Sequence, residues 1–383
     1  MVCAPGLAPL VADELRALGI ADTEADDAGV HFSATLDQLV RCNVWLRCAS
    51  RIVVRLGAST TRHFGELEAL AASLPWGAVL GRDRAVLIRV TARKSRLYHT
   101  GAIAERVGQA LQRAVPGVHP AVPADAEEDD DVAAQLVLVR LDRDRCTISV
   151  DTSGALLHRR GWRQATAKAP LRETLAAALL ASSGWTPSAA LWDPCCGSGT
   201  IAIEAALRIG RHAPGAHRDF ALTEWPVWAA EARALVAREQ QAARDGVQMI
   251  PDGVVIASDH DAGAIAAARA NAARAGVEAA ITFRQVALAD APSVDPGTWI
   301  VSNPPYGKRV HAGGSAPPRA ATALLGLYRQ FAERARRDRC GLALLTDDRA
   351  LARAAGLEDP PVLRTSNGGL PVAVWQRAPG GRR

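Results

Sequence analysis

Four consecutive residues, Asn303, Pro304, Pro305 and Tyr306, combine an amide, two rigid prolines and an aromatic ring. They follow the apolar run 298–301, which predicts a buried strand. Because proline cannot donate to a strand ladder, the prolines predict a rigid turn at the end of that strand. An amide oxygen, exposed carbonyls and a stacking ring can together hold a flat molecule that carries an amino group. A strand-end turn without chemical importance is the alternative interpretation of these four residues alone.

A second turn, 193–200, has the sequence Asp-Pro-Cys-Cys-Gly-Ser-Gly-Thr and follows the short apolar segment 190–192. A helix is predicted directly after it, and this order of strand, glycine turn and helix is typical of nucleotide-binding turns. Glycines let a ligand approach the backbone, and the N–H groups of a helix N-terminus can bind a carboxylate. The turn lacks both the Lys-Ser/Thr pair of a Walker loop and the third glycine of the dinucleotide pattern. It therefore suits a ligand that joins a nucleoside to an amino acid.

An acidic residue, Asp259, ends the next predicted strand, 253–259. An acid at the tip of the strand after the glycine turn is placed to bind ribose hydroxyls, and His260 beside it could lie against an adenine. Strands and helices alternate through 190–376, which predicts a doubly wound sheet with its site at the strand ends. Asp193, Asp259 and Asn303 should therefore lie at one edge of that sheet.

Length and composition restrict the class of protein. A chain of 383 residues suggests about two or three domains, and 49% hydrophobic with 22% charged residues is typical of soluble globular proteins. The sequence has no run of about eighteen apolar residues and no recognisable signal peptide, so neither a membrane span nor secretion is expected. Seven scattered cysteines without two CxxC pairs predict a reducing cytoplasm, no disulfide framework and no structural zinc.

The net charge of +5 is unevenly distributed. Residues 1–153 carry 17 Arg and Lys against 20 Asp and Glu, whereas residues 154–383 carry 28 against 20. A basic half suggests a polyanionic partner. The acidic residues of the first half concentrate in 125–131, which predicts a solvated loop.

Three basic segments are predicted to contact RNA. In 92–100, basic residues accompany a tyrosine and a histidine, which suits phosphate contacts and base stacking; a solvated loop is the alternative. The connector 156–172 is basic, carries a tryptophan and has no acid, so it could guide a polynucleotide backbone between domains. The third segment, 308–309, follows the proline turn. The predicted contacts are Arg93, Lys94, Arg96, Tyr98, Arg159, Arg160, Trp162, Arg163, Lys168, Lys308 and Arg309.

These motifs resemble those of class I S-adenosylmethionine-dependent methyltransferases with an Asn-Pro-Pro-Tyr catalytic turn. The turn 193–200 resembles their cofactor motif, and 258–261 resembles their acidic second motif. With segments 29–32, 93–98, 159–162 and 171–175, the chain resembles bacterial THUMP-domain RNA methyltransferases, which modify the exocyclic amino group of guanine. The resemblance implies a ferredoxin-like α+β unit (1–60), a THUMP RNA-binding domain (61–153), a basic linker (154–169) and a Rossmann-like α/β methyltransferase domain with a seven-stranded sheet (170–383).

The resemblance also implies a cofactor, S-adenosyl-L-methionine (SAM), and the residues that hold it. Its methionine end would lie against 197–200 and its ribose on Asp259. At the position where relatives usually carry an Asp against the adenine amino group, this chain has Ala287, and Asp290 is a possible substitute. The candidate cofactor-binding residues are Asp193, Cys195, Gly197, Ser198, Gly199, Thr200, Thr174, Asp259, His260 and Asp290.

The implied reaction is methyl transfer to a guanine amino group in RNA, with 23S ribosomal RNA preferred. The Asn303 side-chain oxygen and the Pro304 carbonyl would accept hydrogen bonds from the amino group, while Tyr306 stacks on the base. Acceptor-stem tRNA is an alternative substrate, and an RNA-binding assembly factor with a decayed cofactor pocket is an alternative function, motivated by Ala287. Methylation of DNA or of protein glutamine is disfavoured by the front half of the chain. Neither a metal nor a membrane partner is expected, and the oligomeric state cannot be read from the sequence.

Overall fold

The structure, a computed structural model, describes residues 1–26, 29–121, 134–164, 171–306 and 318–380. These residues form three sheets, of four, five and seven strands. The described helices include none that is both long and apolar enough to cross a bilayer. The acidic run 125–131 and the predicted RNA contacts Lys168, Lys308 and Arg309 lie outside the described residues.

The N-terminal unit is a four-stranded antiparallel sheet in the order β2-β3-β1-β4, accompanied by two helices. Thr35 and Gln38 form a capping box that fixes the start of α2. The apolar spacing predicts helices over 7–18 and about 35–48 and a strand over 29–33, and α1, α2 and β3 confirm them. Strands β1 and β2 are too short or too polar to show the alternation of a strand. The elements are β1 (Val2–Cys3), α1 (Ala8–Ala17), β2 (Thr23–Asp26), β3 (Gly29–Phe32), α2 (Leu36–Trp45) and β4 (Ala49–Arg51).

The second unit is a five-stranded sheet in the order β5-β9-β8-β6-β7, with α3 and α5 packed on one face. The sequence predicts that 135–141 and 146–151 pair as a hairpin, and this is confirmed. Strands β8 and β9 are joined by Arg143 and Asp144, which both have positive φ, as a tight hairpin turn requires. The elements are β5 (Val53–Thr60), α3 (Phe64–Ala72), α4 (Trp76–Val79), β6 (Ala85–Arg93), α5 (Thr100–Ala114), β7 (His119–Ala121), β8 (Gln135–Asp142) and β9 (Arg145–Asp151).

One buried residue, Ile52, separates the first two sheets. The sequence predicts a single strand over 50–56, but the chain leaves the first sheet after β4 and enters the second at β5. The Ile52 N–H donates to Ser153 Oγ at 2.9 Å, and its carbonyl accepts from both Thr152 N and Thr152 Oγ1 at 2.9 Å. Because these bonds replace the strand ladder locally, an apolar run can change sheets without a loop.

The third unit confirms the doubly wound seven-stranded sheet, in the order β12-β11-β10-β13-β14-β16-β15. Strands β10 to β14 are parallel, while β16 pairs antiparallel with β14 and β15. Strand β15 and helix α11 were not predicted. The elements are α6 (Glu173–Ser182), β10 (Leu191–Asp193), α7 (Thr200–Ile209), α8 (Ala229–Asp245), β11 (Val255–Asp259), α9 (Ala262–Arg274), β12 (Ile281–Gln285), β13 (Trp299–Ser302), α10 (Pro318–Arg337), β14 (Gly341–Thr346), α11 (Arg349–Ala354), β15 (Leu363–Asn367) and β16 (Leu370–Arg377).

The register of this sheet positions the site. Strand β10 is central, with β11 on one side and β13 on the other, and all three run in the same direction. Their carboxyl ends therefore meet at one edge. Asp193, Asp259 and Asn303 leave that edge together, as the sequence predicts.

A buried charge network joins the N-terminal unit, the connector and helix α7 of the third unit. Arg160 Nε donates to Glu204 Oε1 at 3.0 Å, and its Nη2 donates to the Arg47 carbonyl at 2.9 Å. Arg47 Nη1 lies 3.6 Å from Glu204 Oε2. The side chains of Arg160 and Glu204 are 2% and 1% exposed. The prediction that Arg160 contacts RNA is therefore wrong, because its guanidinium is occupied inside the protein.

We expect Glu204→Ala to lower the free energy of unfolding by about 3–5 kcal/mol, because it leaves two buried guanidinium groups without their carboxylate. Urea unfolding followed by tryptophan fluorescence measures the loss. The matched control is Glu224→Ala, which breaks the exposed pair with Arg233 and should cost about 1 kcal/mol or less. Equal losses in the two variants would contradict the structural role of the network.

Candidate active site at the carboxyl edge of the seven-stranded sheet

The glycine turn between β10 and α7 uses its two glycines differently. Gly197 and Gly199 both have positive φ, at 52° and 85°. A Cβ at Gly199 would lie 3.0 Å from Ala268 Cβ, so this glycine allows α7 and α9 to pack closely. A Cβ at Gly197 would meet nothing within 4 Å. Gly197 therefore presents open backbone to a ligand, just before the N-terminus of α7 at Thr200.

The carboxylate of Asp259 is held beside this turn. Its Oδ2 accepts from Gly197 N at 3.0 Å, and its Oδ1 accepts from Asp261 N at 3.1 Å. His260 Nδ1 lies 3.1 Å from Asp259 Oδ1, and the His260 side chain is 84% exposed. Because two carboxylate oxygens offer about four acceptor sites, Asp259 keeps capacity for ribose hydroxyls.

Asp193 ties the glycine turn to the proline turn. Its Oδ1 accepts from Ser302 Oγ at 2.6 Å and from Cys195 N at 3.3 Å. The residue is 1% exposed, and burial raises the pKa of its carboxyl to about 7. Asp193 therefore lies behind the glycine turn and positions it. The role of its partner, Ser302, was not predicted from the sequence, although Ser302 directly precedes Asn303.

The amide oxygen of Asn303 is the principal chemical feature of the proline turn. Asn303 Oδ1 is buried and has no hydrogen-bond partner among the described residues. Pro304 beside it is buried and Pro305 is exposed, so the turn is anchored on one side and open on the other. A buried acceptor without a hydrogen bond lowers the stability of the fold by about 1–3 kcal/mol, so a ligand that donates a hydrogen bond to Asn303 Oδ1 would bind favourably.

Tyr306 is buried in this structure, at 2% exposure. Its hydroxyl accepts from Asn367 Nδ2 at 3.3 Å, at the end of β15. Stacking of Tyr306 on a base stays a prediction and requires that one face of the ring be uncovered. Asn367 was not found from the sequence, because it lies in the polar strand β15, which shows no clear strand pattern.

The other candidate cofactor residues occupy varied positions. Burial raises the pKa of the Cys195 thiol, which keeps it neutral and suited to packing. The Ser198 carbonyl accepts from the buried Asn271 Nδ2 at 3.0 Å. Thr174 lies in α6 and is 5% exposed. Asp290 is exposed and lies in a turn, where its backbone N–H donates to the Ala287 carbonyl at 3.1 Å. The described residues contain no cluster of three His, Cys, Asp or Glu that could hold a metal.

The connector packs against the glycine turn. Arg163 Nη2 donates to Thr200 Oγ1 at 3.1 Å, and its Nε lies 3.2 Å from Glu173 Oε1. The Trp162 carbonyl accepts from Arg274 Nε at 2.8 Å, and Trp162 is 4% exposed. The predicted RNA contact of Trp162 is wrong, since its ring is in the core. Arg163 supports the turn, while the predicted RNA contact of the half-buried Arg159 remains untested.

The loop after β6 presents the predicted RNA-contacting side chains to solvent. Arg93, Lys94 and Arg96 are exposed, and Tyr98 is 65% exposed. The backbone is fixed, because Arg96 N donates to Asp144 Oδ1 at 2.7 Å and a second bond joins this loop to the β8–β9 turn. RNA contact by these four side chains stays a prediction.

The buried carboxyl groups predict a dependence of stability on pH. The pKa of Asp193 is raised to about 7, against about 3.9 for an unfolded chain. Between these values the folded protein holds a proton that the unfolded chain has released, so stability falls as pH rises. Burial also raises the pKa of Glu173 to about 7 and that of Asp151 to about 6, which acts in the same direction.

The free energy of unfolding of wild type should fall between pH 5 and pH 8. In Asp193→Asn, which cannot ionise at this position, we expect that fall to be smaller by about 2 kcal/mol. Urea unfolding at the two pH values measures this difference. Asp290→Asn removes an exposed carboxylate and should retain the wild-type pH dependence. The same dependence in wild type and Asp193→Asn would show that Asp193 ionises freely in the folded protein.

Three family models match the chain. The RlmL ferredoxin-like domain matches residues 1–53, and the THUMP domain matches residues 61–151. The RMKL-like methyltransferase domain (UPF0020) matches residues 160–371, which is more than half of the 383 residues.

A curated relative and two solved structures resemble the chain over nearly its whole length. The ribosomal RNA large subunit methyltransferase K/L of Syntrophotalea carbinolica is 33% identical over 377 residues, covering 95% of this chain and 51% of that protein. The chain thus spans about half the length of this relative. SMU.472, solved with S-adenosylhomocysteine (SAH), superposes with a TM-score of 0.83 at 29% identity, covering 100% of this chain and 98% of that one.

The second structure is a predicted N6-adenine-specific DNA methylase from Listeria monocytogenes. It has a TM-score of 0.83 at 30% identity and covers 98% of this chain and 94% of that one. Together with the geometry of the carboxyl edge, the extent of the third family model shows that the chain belongs to the family of RMKL-like methyltransferase domains.

Proposed function

We propose that this protein transfers a methyl group from SAM to the exocyclic amino group of a guanine in large-subunit ribosomal RNA. The observation that carries the proposal is the buried Asn303 Oδ1, which has no hydrogen-bond partner in the described part of the chain, at the sheet edge that also holds the glycine turn. An amino N–H would supply the donor that this oxygen lacks. The name of the Syntrophotalea relative supports ribosomal RNA as the substrate.

The residues at the edge fit SAM. Gly197 offers backbone with open space beside it, and the α7 N-terminus offers N–H groups to a carboxylate. Asp259 has acceptor capacity for the ribose, and the SAH in SMU.472 supports this assignment. When bound, SAM supplies an electrophilic methyl group. Gly197, Ser198, Gly199 and Thr200 would hold its methionine end.

The proline turn would prepare the amino group for attack. The lone pair of a guanine amino group is delocalised into the ring, so the group is a weak nucleophile. Asn303 Oδ1 and the Pro304 carbonyl would accept its two hydrogens and direct the lone pair toward the methyl group. Positioning and preorganised acceptors would supply most of the rate, and the product proton would leave to solvent.

Access to the site requires an extruded base. A guanine inside a duplex cannot reach Asn303, so the nucleotide must leave its stack before reaction. The exposed Pro305 lies at the open side of the turn, where such a base would arrive. Lys308, Arg309 and Lys168 remain predicted contacts for the adjoining phosphates. We also propose a cytoplasmic location, which the seven free thiols support.

A second candidate substrate follows from the comparison with the Listeria protein, whose name refers to adenine in DNA. The amino group of adenine is delocalised in the same way, and Asn303 could hold it by the same bonds. The THUMP match over 61–151 favours RNA over DNA. Acceptor-stem tRNA stays the alternative among RNAs.

The substrate can be identified with SAM carrying a labelled methyl group. Purified protein is incubated separately with unmodified large-subunit ribosomal RNA, total tRNA and genomic DNA, and the labelled nucleoside is identified by chromatography. We expect N2-methylguanine in the ribosomal RNA. Label in DNA adenine or in tRNA instead would overturn the substrate assignment, and no SAM binding in calorimetry would indicate an assembly factor.

We expect Asn303→Ala to lower kcat about 100-fold or more, because one of the two acceptors of the amino group is lost. SAM affinity by calorimetry should stay close to wild type, since Asn303 faces the amino group. Gln109→Ala, which removes an exposed amide from α5, is the matched control and should retain full activity. Wild-type turnover in Asn303→Ala would rule out the proposed role of the turn.

Gly197→Ala tests the cofactor site separately. The added methyl group would occupy the open side of the turn, so we expect SAM affinity to fall about tenfold, or about 1.4 kcal/mol. The positive φ adds a stability loss of about 1 kcal/mol. Gly65→Ala, at a helical position with open space and no positive φ, should lower neither SAM affinity nor the free energy of unfolding. Unchanged SAM affinity in Gly197→Ala would place the cofactor elsewhere.

A further inference from the structure

Arg163 has three partners near the start of two helices. Its Nη2 donates to Thr200 Oγ1 at 3.1 Å and to the Leu171 carbonyl, and its Nε lies 3.2 Å from Glu173 Oε1. The side chain of Arg163 is 12% exposed. Because Glu173 begins α6 and Thr200 begins α7, the guanidinium group is held between the first turns of two helices that pack together.

The bond to Arg163 determines what the Thr200 hydroxyl can do. A guanidinium group has only donors, so Thr200 Oγ1 is the acceptor and its own hydrogen takes no part in this bond. Thr200 is buried, and its hydroxyl has no second partner in the parts of the chain that the structure describes. The hydroxyl hydrogen can therefore be donated to a ligand. Since the donor to Oγ1 is charged, the O–H group is polarised and becomes a stronger donor.

This hydroxyl lies where the glycine turn enters α7. Ile203 N donates to the Gly199 carbonyl at 2.9 Å, which is the first bond of the helix. The N–H groups of 200–202 precede that bond and have no acceptor inside the helix. A carboxylate placed here would accept hydrogen bonds from backbone N–H groups and from the Thr200 hydroxyl together.

Arg163 is one of two connector arginines that bind the same face of α7. Arg160 Nε donates to Glu204 Oε1 at 3.0 Å, one helical turn beyond Thr200. Arg160 also donates to the Arg47 carbonyl, so it fixes the helix to the N-terminal unit. Arg163 instead reaches the residue that begins the helix, beside the proposed cofactor site. Packing is thus the role of Arg160, while Arg163 controls a polar group that faces a ligand.

We propose that Arg163 is a positioning residue for SAM, which fixes the Thr200 hydroxyl as a hydrogen-bond donor toward the carboxylate at the methionine end of the cofactor. The inference rests on the proposed function, since it places SAM against the glycine turn. It adds a residue that acts on the cofactor through Thr200 without touching it. Glu173 keeps the guanidinium group in the orientation that this bond requires.

The test compares two ligands that differ only in the carboxylate. SAH carries this group, whereas decarboxylated SAH retains the adenosine, the sulfur and the amino group. Calorimetry at pH 7 measures the affinity of both ligands for wild type and for the double variant Arg163→Met with Glu173→Gln. Both members of the ion pair are replaced, because a buried charge left without its partner would destabilise the fold.

We expect the affinity for SAH to fall about tenfold in the double variant, because the hydrogen bond from Thr200 to the carboxylate is weakened. Decarboxylated SAH should bind within about twofold of its wild-type affinity, since it has no carboxylate for the hydroxyl to hold. Equal losses for the two ligands would show that Arg163 only maintains the fold. An unchanged affinity for SAH would also overturn the inference.

The matched control, Arg51→Met with Asp151→Asn, removes another buried ion pair. Arg51 and Asp151 are 10% and 1% exposed, and they join β4 to β9 rather than contacting α7. The affinities for both ligands should stay within about twofold of wild type. A loss of SAH affinity as large as that in the Arg163 variant would attribute the effect to general destabilisation and contradict the positioning role.

Two variants of Thr200 test the hydroxyl without altering a charge. Thr200→Val keeps the shape of the side chain and should lower the affinity for SAH about tenfold, whereas Thr200→Ser keeps the hydroxyl and should bind SAH nearly as wild type does. Adding Thr200→Val to the Arg163 double variant should cause no further loss, because Arg163 acts through the hydroxyl that is then absent. Additive losses would show that Arg163 acts by another route.

These measurements separate the inference from the proposed function. A wild type that binds SAH but methylates no RNA would refute the function, and the comparison of the two ligands would still decide the role of Arg163. Methylation of ribosomal RNA together with an unchanged affinity for SAH in the Arg163 variant would refute the positioning role alone.

Discussion

The hydrogen bond from Ser302 Oγ to Asp193 Oδ1 is the contact on which the site depends. It joins residues 109 positions apart in the chain, at the ends of neighbouring parallel strands. The glycine turn starts at Asp193 and the Asn303 turn starts directly after Ser302, so this 2.6 Å bond fixes the distance between the proposed cofactor site and the proposed substrate site. Methyl transfer depends on alignment within fractions of an ångström, and this link is short, buried and located between two neighbouring strands of the sheet.

Much of this edge could be predicted from the sequence, because its signals are local. Glycines before a helix, an acid after an apolar strand and prolines after another strand each report their own backbone environment. The sheet order then brings them together by a general rule of parallel topology. Ser302, Asn271 and Asn367 were missed because their roles depend on partners far away in the sequence.

Burial of charged residues was the main source of wrong predictions. The composition of the connector, with several Arg and one Trp, predicts an exposed segment that binds RNA. Nothing in the neighbouring sequence shows that Glu204 and the Arg47 carbonyl will enclose Arg160. The arginines on one face of the five-stranded sheet posed the opposite difficulty. Their alternation along β6 is visible in the sequence, but only the pairing of β6 with β8 and β9 shows that they share one face with Arg140 and Arg145.

The passage of the chain through Ile52 has a consequence for recognition. One buried residue with both backbone groups bonded joins the N-terminal unit to the five-stranded sheet, whereas a flexible tether would leave those groups to solvent. A cleft that already has its final width loses little conformational entropy when a ligand enters it. Because of this crossover, we expect the N-terminal unit and the five-stranded sheet to keep their relative arrangement when a substrate binds.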